Sequence, residues 1–116
     1  MPIRTRRLKE SYEVGNGPVV LRIIIGEGQF GSSVVNLGTE EIASGGVAML
    51  RVGDGPSLAG QRLKVASTVT DVQRSTNRTS ITFELDGGPV PSSHELNREV
   101  DKEGGSVLYI ATFDFV

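Results

Sequence analysis

The sequence has 116 residues, enough for one domain that buries its own core, and it contains no cysteine and one histidine. Disulfide staples are therefore excluded, and a zinc site is nearly excluded because its usual ligands are missing. The formal net charge of −2, from 12 basic and 14 acidic residues, leaves no global field to attract nucleic acid or an anionic membrane. We expect a single domain spanning residues 1–116.

The chain starts with a basic segment that contains Arg4, Arg6, Arg7 and Lys9. A secretory signal would continue with an apolar stretch, but the next residues read Glu-Ser-Tyr-Glu. The longest apolar run, residues 19–25, is interrupted by an arginine and is too short to span a bilayer. Together with the lack of cysteine, these features predict a soluble, cytoplasmic protein.

Alternation of apolar and polar residues, which is typical of half-buried strands, dominates the sequence. In residues 79–86, Ile81, Phe83 and Leu85 share one face, and polar side chains occupy the other. Glycine-rich turns separate further predicted strands at residues 6–14, 19–25, 32–37, 47–52, 61–71 and 106–116. We predict an all-β fold, an antiparallel β-sandwich of about seven to eight strands with immunoglobulin-like, C2-like or jelly-roll topology.

Residues 61–71 and 79–86 are joined by a short polar segment, VQRSTNR, which is typical of a hairpin loop. A hairpin symmetric about Ser75 would place Val69 opposite Ile81 on the buried face. The sequence therefore predicts that these two strands are neighbours in one sheet.

Residues 93–103 carry the clearest helical signal of the chain. Ser92-Ser93-His94-Glu95 has the spacing of a capping box, Leu96 and Val100 lie four residues apart, and a pair of glycines ends the run. This pattern favours a short helix that docks on a sheet through Leu96 and Val100. A polar loop is the alternative.

Two predicted strands, residues 19–25 and 106–116, are apolar on both faces. An antiparallel sheet with one face in water does not need a second apolar face, so something must cover it. Residues 89–103 or another subunit are the two candidates, and the rarity of large bare apolar patches on monomers favours a subunit. The residues predicted to be core or interface are Val19, Leu21, Ile23, Tyr109, Phe113 and Phe115.

The segment IGEGQFGSSV contains a G-x-G-x-x-G pattern formed by Gly26, Gly28 and Gly31, and it resembles the glycine-rich loop of protein kinases. The resemblance covers about ten residues and ends there, because Leu50 stands where the kinase lysine would be and the H-R-D and D-F-G motifs are missing. A dinucleotide-binding loop would open a helix, but residues 32–36 are strand-like. We interpret the glycines as residues of a sharp hairpin turn and predict no bound nucleotide.

Candidate chemical groups are sparse. Asp54, Asp71 and Asp86 each fall at a predicted strand end, where carboxylates of a C2-like domain would hold calcium, although aspartate beside glycine is also ordinary turn chemistry. His94 lies among prolines and serines with no nucleophile-elbow pattern around it. We therefore predict no catalytic residue and no cofactor.

The strands with two apolar faces favour a non-enzymatic protein-interaction or structural module, a small subunit or adaptor of a larger or self-associating assembly. The basic residues 1–9 and the acidic residues 84–103 offer a register-setting contact between protomers. The alternative is a ligand-binding sandwich that holds calcium, a glycan or a small molecule in the loops at 26–31, 53–60 and 71–78.

Overall fold

Nine β-strands and one four-residue helix form within residues 4–72, 76–100 and 104–116, the parts of the chain that the computed structural model describes. The elements are β1 (Arg4–Tyr12), β2 (Pro18–Ile25), β3 (Phe30–Leu37), β4 (Glu40–Gly45), β5 (Met49–Asp54), α1 (Gly55–Leu58), β6 (Arg62–Thr70), β7 (Arg78–Asp86), β8 (Ser92–Glu99) and β9 (Ser106–Phe115). None of the helices in this part of the chain is both long and apolar enough to cross a membrane.

The strands form two packed sheets, a five-stranded sheet in the order β1-β9-β6-β3-β4 and a four-stranded sheet in the order β5-β2-β7-β8. Apolar side chains from the inner faces of both sheets make one buried cluster, whose largest members are Tyr109, Phe83, Phe113 and Phe115. The predicted all-β sandwich is confirmed, because the period-two alternation places one face of each central strand in this cluster.

The first and last strands are neighbours and run parallel, with a register from Arg4 opposite Val107 to Tyr12 opposite Phe115. The other strand pairs that the structure describes are antiparallel. A parallel pair needs a long connection, and here the rest of the chain supplies it. The prediction of an antiparallel sandwich is therefore correct for every described pair except this one.

The predicted hairpin between residues 61–71 and 79–86 is wrong. Strand β6 pairs with β3 and β9 in one sheet, whereas β7 pairs with β2 and β8 in the other. Val69 and Ile81 are both fully buried, but they face the core from opposite sheets. Alternation fixes which face of a strand is buried, not which strand lies beside it. Ser75, the predicted centre of the hairpin, lies outside the described residues.

The helix predicted within residues 93–103 is also wrong, because residues 92–99 form strand β8 at the edge of the four-stranded sheet. Leu96 and Val100 are buried as predicted. Residues four apart share a face in a strand as well as in a helix, so this spacing did not distinguish the two. Residues 101–103, the end of the predicted helix, lie outside the described residues.

Three turn segments that contain glycine and proline meet at one end of the sandwich. The Gly55 amide donates a hydrogen bond of 2.9 Å to the Gly17 carbonyl, and a Cβ on Gly55 would collide with the Gly15 carbonyl oxygen. Gly87 has a φ of +113°, and a Cβ there would collide with the backbone of Pro18. These glycines allow three connections to pack backbone against backbone.

We expect Gly87→Ala to lower the free energy of unfolding by about 2 kcal/mol or more, because the variant adds backbone strain to a collision with backbone. Chemical denaturation monitored by circular dichroism measures the effect. Gly17→Ala is the matched control, since a Cβ there meets nothing within 4 Å, and it should change stability by less than about 0.5 kcal/mol. Equal stability of the two variants would contradict the close packing of these turns.

Candidate functional site

The six residues predicted to be core or interface all lie in the core of the chain itself. Three belong to β2 and three to β9, and none is more than 5% exposed: Val19, Leu21, Ile23, Tyr109, Phe113 and Phe115. In this fold they are not accessible to a partner. A contact surface on these strands has to use the opposite face.

The outer face of the five-stranded sheet carries a row of apolar residues. Ile110 on β9 lies beside Ala66 on β6, and Ala66 lies beside Val34 on β3. Leu108 extends the row along β9, and Phe30 extends it along β3 beyond Ser32. We call Phe30, Val34, Ala66, Leu108 and Ile110 the outer band.

The outer band is open to solvent along β3. Phe30 is 64% exposed and Val34 is 38% exposed, while Ala66, Leu108 and Ile110 are half-buried among their strand neighbours. Residues 92–99, part of one predicted cover, form β8 in the other sheet instead. These residues therefore do not cover the outer face of the five-stranded sheet.

Charged residues flank the outer band on the same sheet face. Arg7 on β1 lies beside Ile110, and Lys9 lies two residues further along, beside Thr112. The Arg62 side chain donates a hydrogen bond of 2.7 Å to Asp114, and this bond lowers the pKa of the Asp114 carboxyl and raises that of Arg62. An apolar centre with a charged rim is the usual anatomy of a protein interface.

The outer face of the four-stranded sheet is more polar. Arg22 on β2 forms an ion pair with Asp86 on β7, and it lies beside Glu84 in the register of the two strands. Ile24 and Met49 are exposed on this side of the chain, but Met49 is aligned with Arg22. The charged residue interrupts the apolar surface, so this face has no counterpart of the outer band.

The three aspartates considered for calcium do not come together. Asp54 is aligned with Pro18 at the start of β2, and Asp86 is aligned with Val20 two residues further on. Asp71 lies at the other end of the sandwich, where its amide donates a hydrogen bond to Gly105. Among the residues that the structure describes, no three His, Cys, Asp or Glu side chains are grouped as a metal site would require.

Asp71 belongs to a buried hydrogen-bond network that sequence reasoning missed. The Gln29 side chain donates to the Asp71 carboxylate at 3.0 Å and to the Arg78 carbonyl at 2.9 Å, and it accepts a bond from the Val72 amide. Gln29 is 8% exposed and Asp71 is 1% exposed. The network joins two of the three loops predicted for ligand binding, those at 26–31 and 71–78. The third loop, at 53–60, lies at the opposite end.

The glycine-rich segment is explained by the fold, but not as a hairpin. It connects β2 in one sheet to β3 in the other. Glu27 and Gly28 have φ of +58° and +68°, which turns the chain sharply. A side chain at Gly31 would press against Ile25. Gly28 therefore allows the turn between the two sheets, and Gly31 allows close packing against Ile25.

His94 lines a groove at the lateral edge of the sandwich, where β1 ends and β8 begins. The groove has a volume of about 390 Å³ and is also lined by Tyr12, Glu13 and the segment 89–93. The His94 ring lies 6.2 Å from the Phe113 ring, and the Tyr12 hydroxyl accepts a hydrogen bond from the Gly88 amide. Both rings therefore take part in packing.

A buried hydrogen bond joins the two sheets next to this edge. The Tyr109 and Thr79 hydroxyls lie 2.6 Å apart, and Thr79 also donates to the Arg98 carbonyl at 2.8 Å. Burial raises the pKa of Tyr109, although the bond to Thr79 and the nearby Arg6 and Arg98 lower it in part. Loss of the phenol proton inside the protein is therefore less favourable than in water.

Comparison with known proteins does not assign the chain to a family. No family model, no curated protein and no solved structure matches it.

We expect Gln29→Ala to destabilise the protein by about 2 kcal/mol, because it leaves the buried Asp71 carboxylate without its amide donor. Thermal and urea denaturation measure the loss. Gln61→Ala removes an exposed side chain whose one hydrogen bond among the residues described is to the Ser57 carbonyl, and it should cost less than about 0.5 kcal/mol. If both variants unfold at the same urea concentration, the Gln29 network does not hold the two loops.

We expect stability to fall above pH 10 in a way that depends on Tyr109. An unfolded tyrosine loses its proton near 10.0, and the raised pKa keeps the buried Tyr109 protonated. The unfolded state then binds fewer protons, so unfolding becomes easier as the pH rises. Urea denaturation from pH 8 to 11 should show a shallower decline for Tyr109→Phe than for the wild type. Parallel curves would contradict a buried neutral phenol.

Proposed function

We propose that this protein is a non-enzymatic interaction module that self-associates or joins a larger assembly through the outer face of its five-stranded sheet. The observation that carries the proposal is the outer band, five apolar residues on three adjacent strands with Phe30 64% exposed. Exposed apolar side chains grouped on one sheet face typically mark a contact with another protein.

The size of the face fits such a contact. Five strands about 4.8 Å apart, each about eight residues long at about 3.3 Å per residue, span roughly 600 Å². A standard interface buries about 800 Å² on each partner. Burial of the outer band would supply affinity, and Arg7 and Lys9 at its rim would favour one orientation of the partner.

The groups that an enzyme would use have structural partners. Asp86 pairs with Arg22 and Asp54 pairs with Arg51, while the His94 ring packs near Phe113. These contacts support a module without catalytic residues or cofactor. We also propose a cytoplasmic location, which a sequence without cysteine suits.

The ligand-binding alternative has one observation in its favour, the meeting of the loops at 26–31 and 71–78 around Gln29. Its third loop lies at the other end of the sandwich. Titration with calcium, followed by calorimetry, tests this alternative, and binding with a stoichiometry of one would support it over the interaction module.

We expect the wild-type protein to show a mass above its 12.4 kDa monomer that rises with concentration in light scattering. The double variant Phe30→Ser, Ile110→Thr should weaken self-association by about tenfold or more, because it removes two of the five apolar side chains of the outer band. Both substituted positions face outward, so the fold should be retained.

Val90→Thr is the control, since Val90 is 72% exposed on a loop away from the outer band. It should associate like the wild type. A wild type that remains monomeric at the highest reachable concentration, or a control that loses association as strongly as the double variant, would argue against self-association through this face.

A further inference from the structure

Two arginines lie on edge strands of opposite sheets, close enough to the Tyr109 hydroxyl that each lowers its pKa. Strands β1 and β8 are the edge strands on one side of the sandwich. In the strand register Arg6 lies beside Tyr109 and Arg98 lies beside Thr79, and the hydroxyls of Tyr109 and Thr79 meet between the sheets at 2.6 Å. Arg6 and Arg98 therefore lie at one level of the sandwich, next to a bond that spans it.

No residue that the structure describes neutralises the positive charge at this level. Neither Arg6 nor Arg98 forms a salt bridge in the described structure. The Arg98 Nε atom is buried and has no hydrogen-bond partner within residues 4–72, 76–100 and 104–116. Buried polar atoms in native proteins are nearly always paired, and a charged donor without an acceptor is costly. Because the Nε atom is closed to solvent, an acceptor from outside the chain would reach this guanidinium through its terminal nitrogens, Nη1 and Nη2.

Protection of an edge strand explains some of the basic residues on β1 but not Arg98. Lysine and arginine on an edge discourage pairing with other chains. Arg7 and Lys9 suit that role, because they are exposed on the outer face. Arg98 instead points to the same side as the buried Leu96, and its Nε is withdrawn from solvent.

We propose that Arg6 and Arg98 form an arginine notch that binds a carboxylate presented by a partner protein, either an acidic side chain or a chain terminus. Guanidinium groups match the planar carboxylate through paired N–H donors. Guanidinium groups also pair with phosphate, so inorganic phosphate is the competing ligand in the test. The inference rests on the proposed interaction function and names one chemical feature of the partner.

The experiment follows the arginine Nε–H resonances by NMR at constant ionic strength while a monocarboxylate is added to the 116-residue protein. N-acetylglycine represents a chain terminus, and N-acetylglutamate α-amide represents an acidic side chain. We expect a saturable shift of the Arg98 signal. Arg6→Gln, a change at an exposed edge position, should raise the half-saturating concentration by about tenfold. A loss of this size is expected when one charge-assisted hydrogen bond is removed. Arg98→Gln should abolish the saturable shifts of the neighbouring backbone amides.

Arg51→Gln is the control, since Arg51 is exposed and pairs with Asp54 outside the notch, and it should leave the titration unchanged. The backbone spectrum shows whether each variant is folded. A shift that is linear and equal to that caused by chloride would overturn the proposal, and so would saturation by inorganic phosphate but not by the carboxylate. These outcomes do not depend on light scattering, so the notch and self-association can fail separately.

Discussion

Five side chains on the inner face of β9 are buried against the opposite sheet, and the position of both proposed surfaces depends on this burial. They are Val107, Tyr109, Ala111, Phe113 and Phe115, none more than 1% exposed. Each of the four large side chains removed from water contributes about 1.5–3 kcal/mol, so a one-residue slip of β9 would cost free energy comparable with the whole stability of a typical domain. With the inner face fixed, Leu108 and Ile110 must point outward. The parallel register then places Arg6 beside Tyr109 and Arg7 beside Ile110.

The sequence predicted which face of each strand is buried more accurately than it predicted which strands pair. Val69 and Ile81 are buried as the alternation indicates, yet they belong to different sheets. Pairing depends on contacts between residues far apart in the chain, and no local pattern encodes them. Strand β8 was missed for a different reason, because Leu96 and Val100 satisfy the helical and the extended period equally well.

The candidate surfaces were predictable in part. The second apolar face of β9 is visible in the sequence, and the structure shows that Leu108 and Ile110 continue into Ala66 and Val34 on neighbouring strands. Neither the buried role of Gln29 nor the position of Arg98 has a local signal, since both follow from how distant segments meet. The aspartates were misleading because turns at both ends of the sandwich use the same residue type.

Strand β1 links the two proposed surfaces. Arg6 and Arg7 are consecutive, and the pleat sends one side chain to the arginine notch and the other to the rim of the outer band. A partner that covers the five-stranded sheet and reaches around its β1 edge would meet both. Apolar burial on the sheet face is not directional. A carboxylate bound by two guanidinium groups, in contrast, fixes the position of the partner through directional hydrogen bonds. The outer band would then supply most of the affinity, and the notch would select which acidic partner binds and in which orientation.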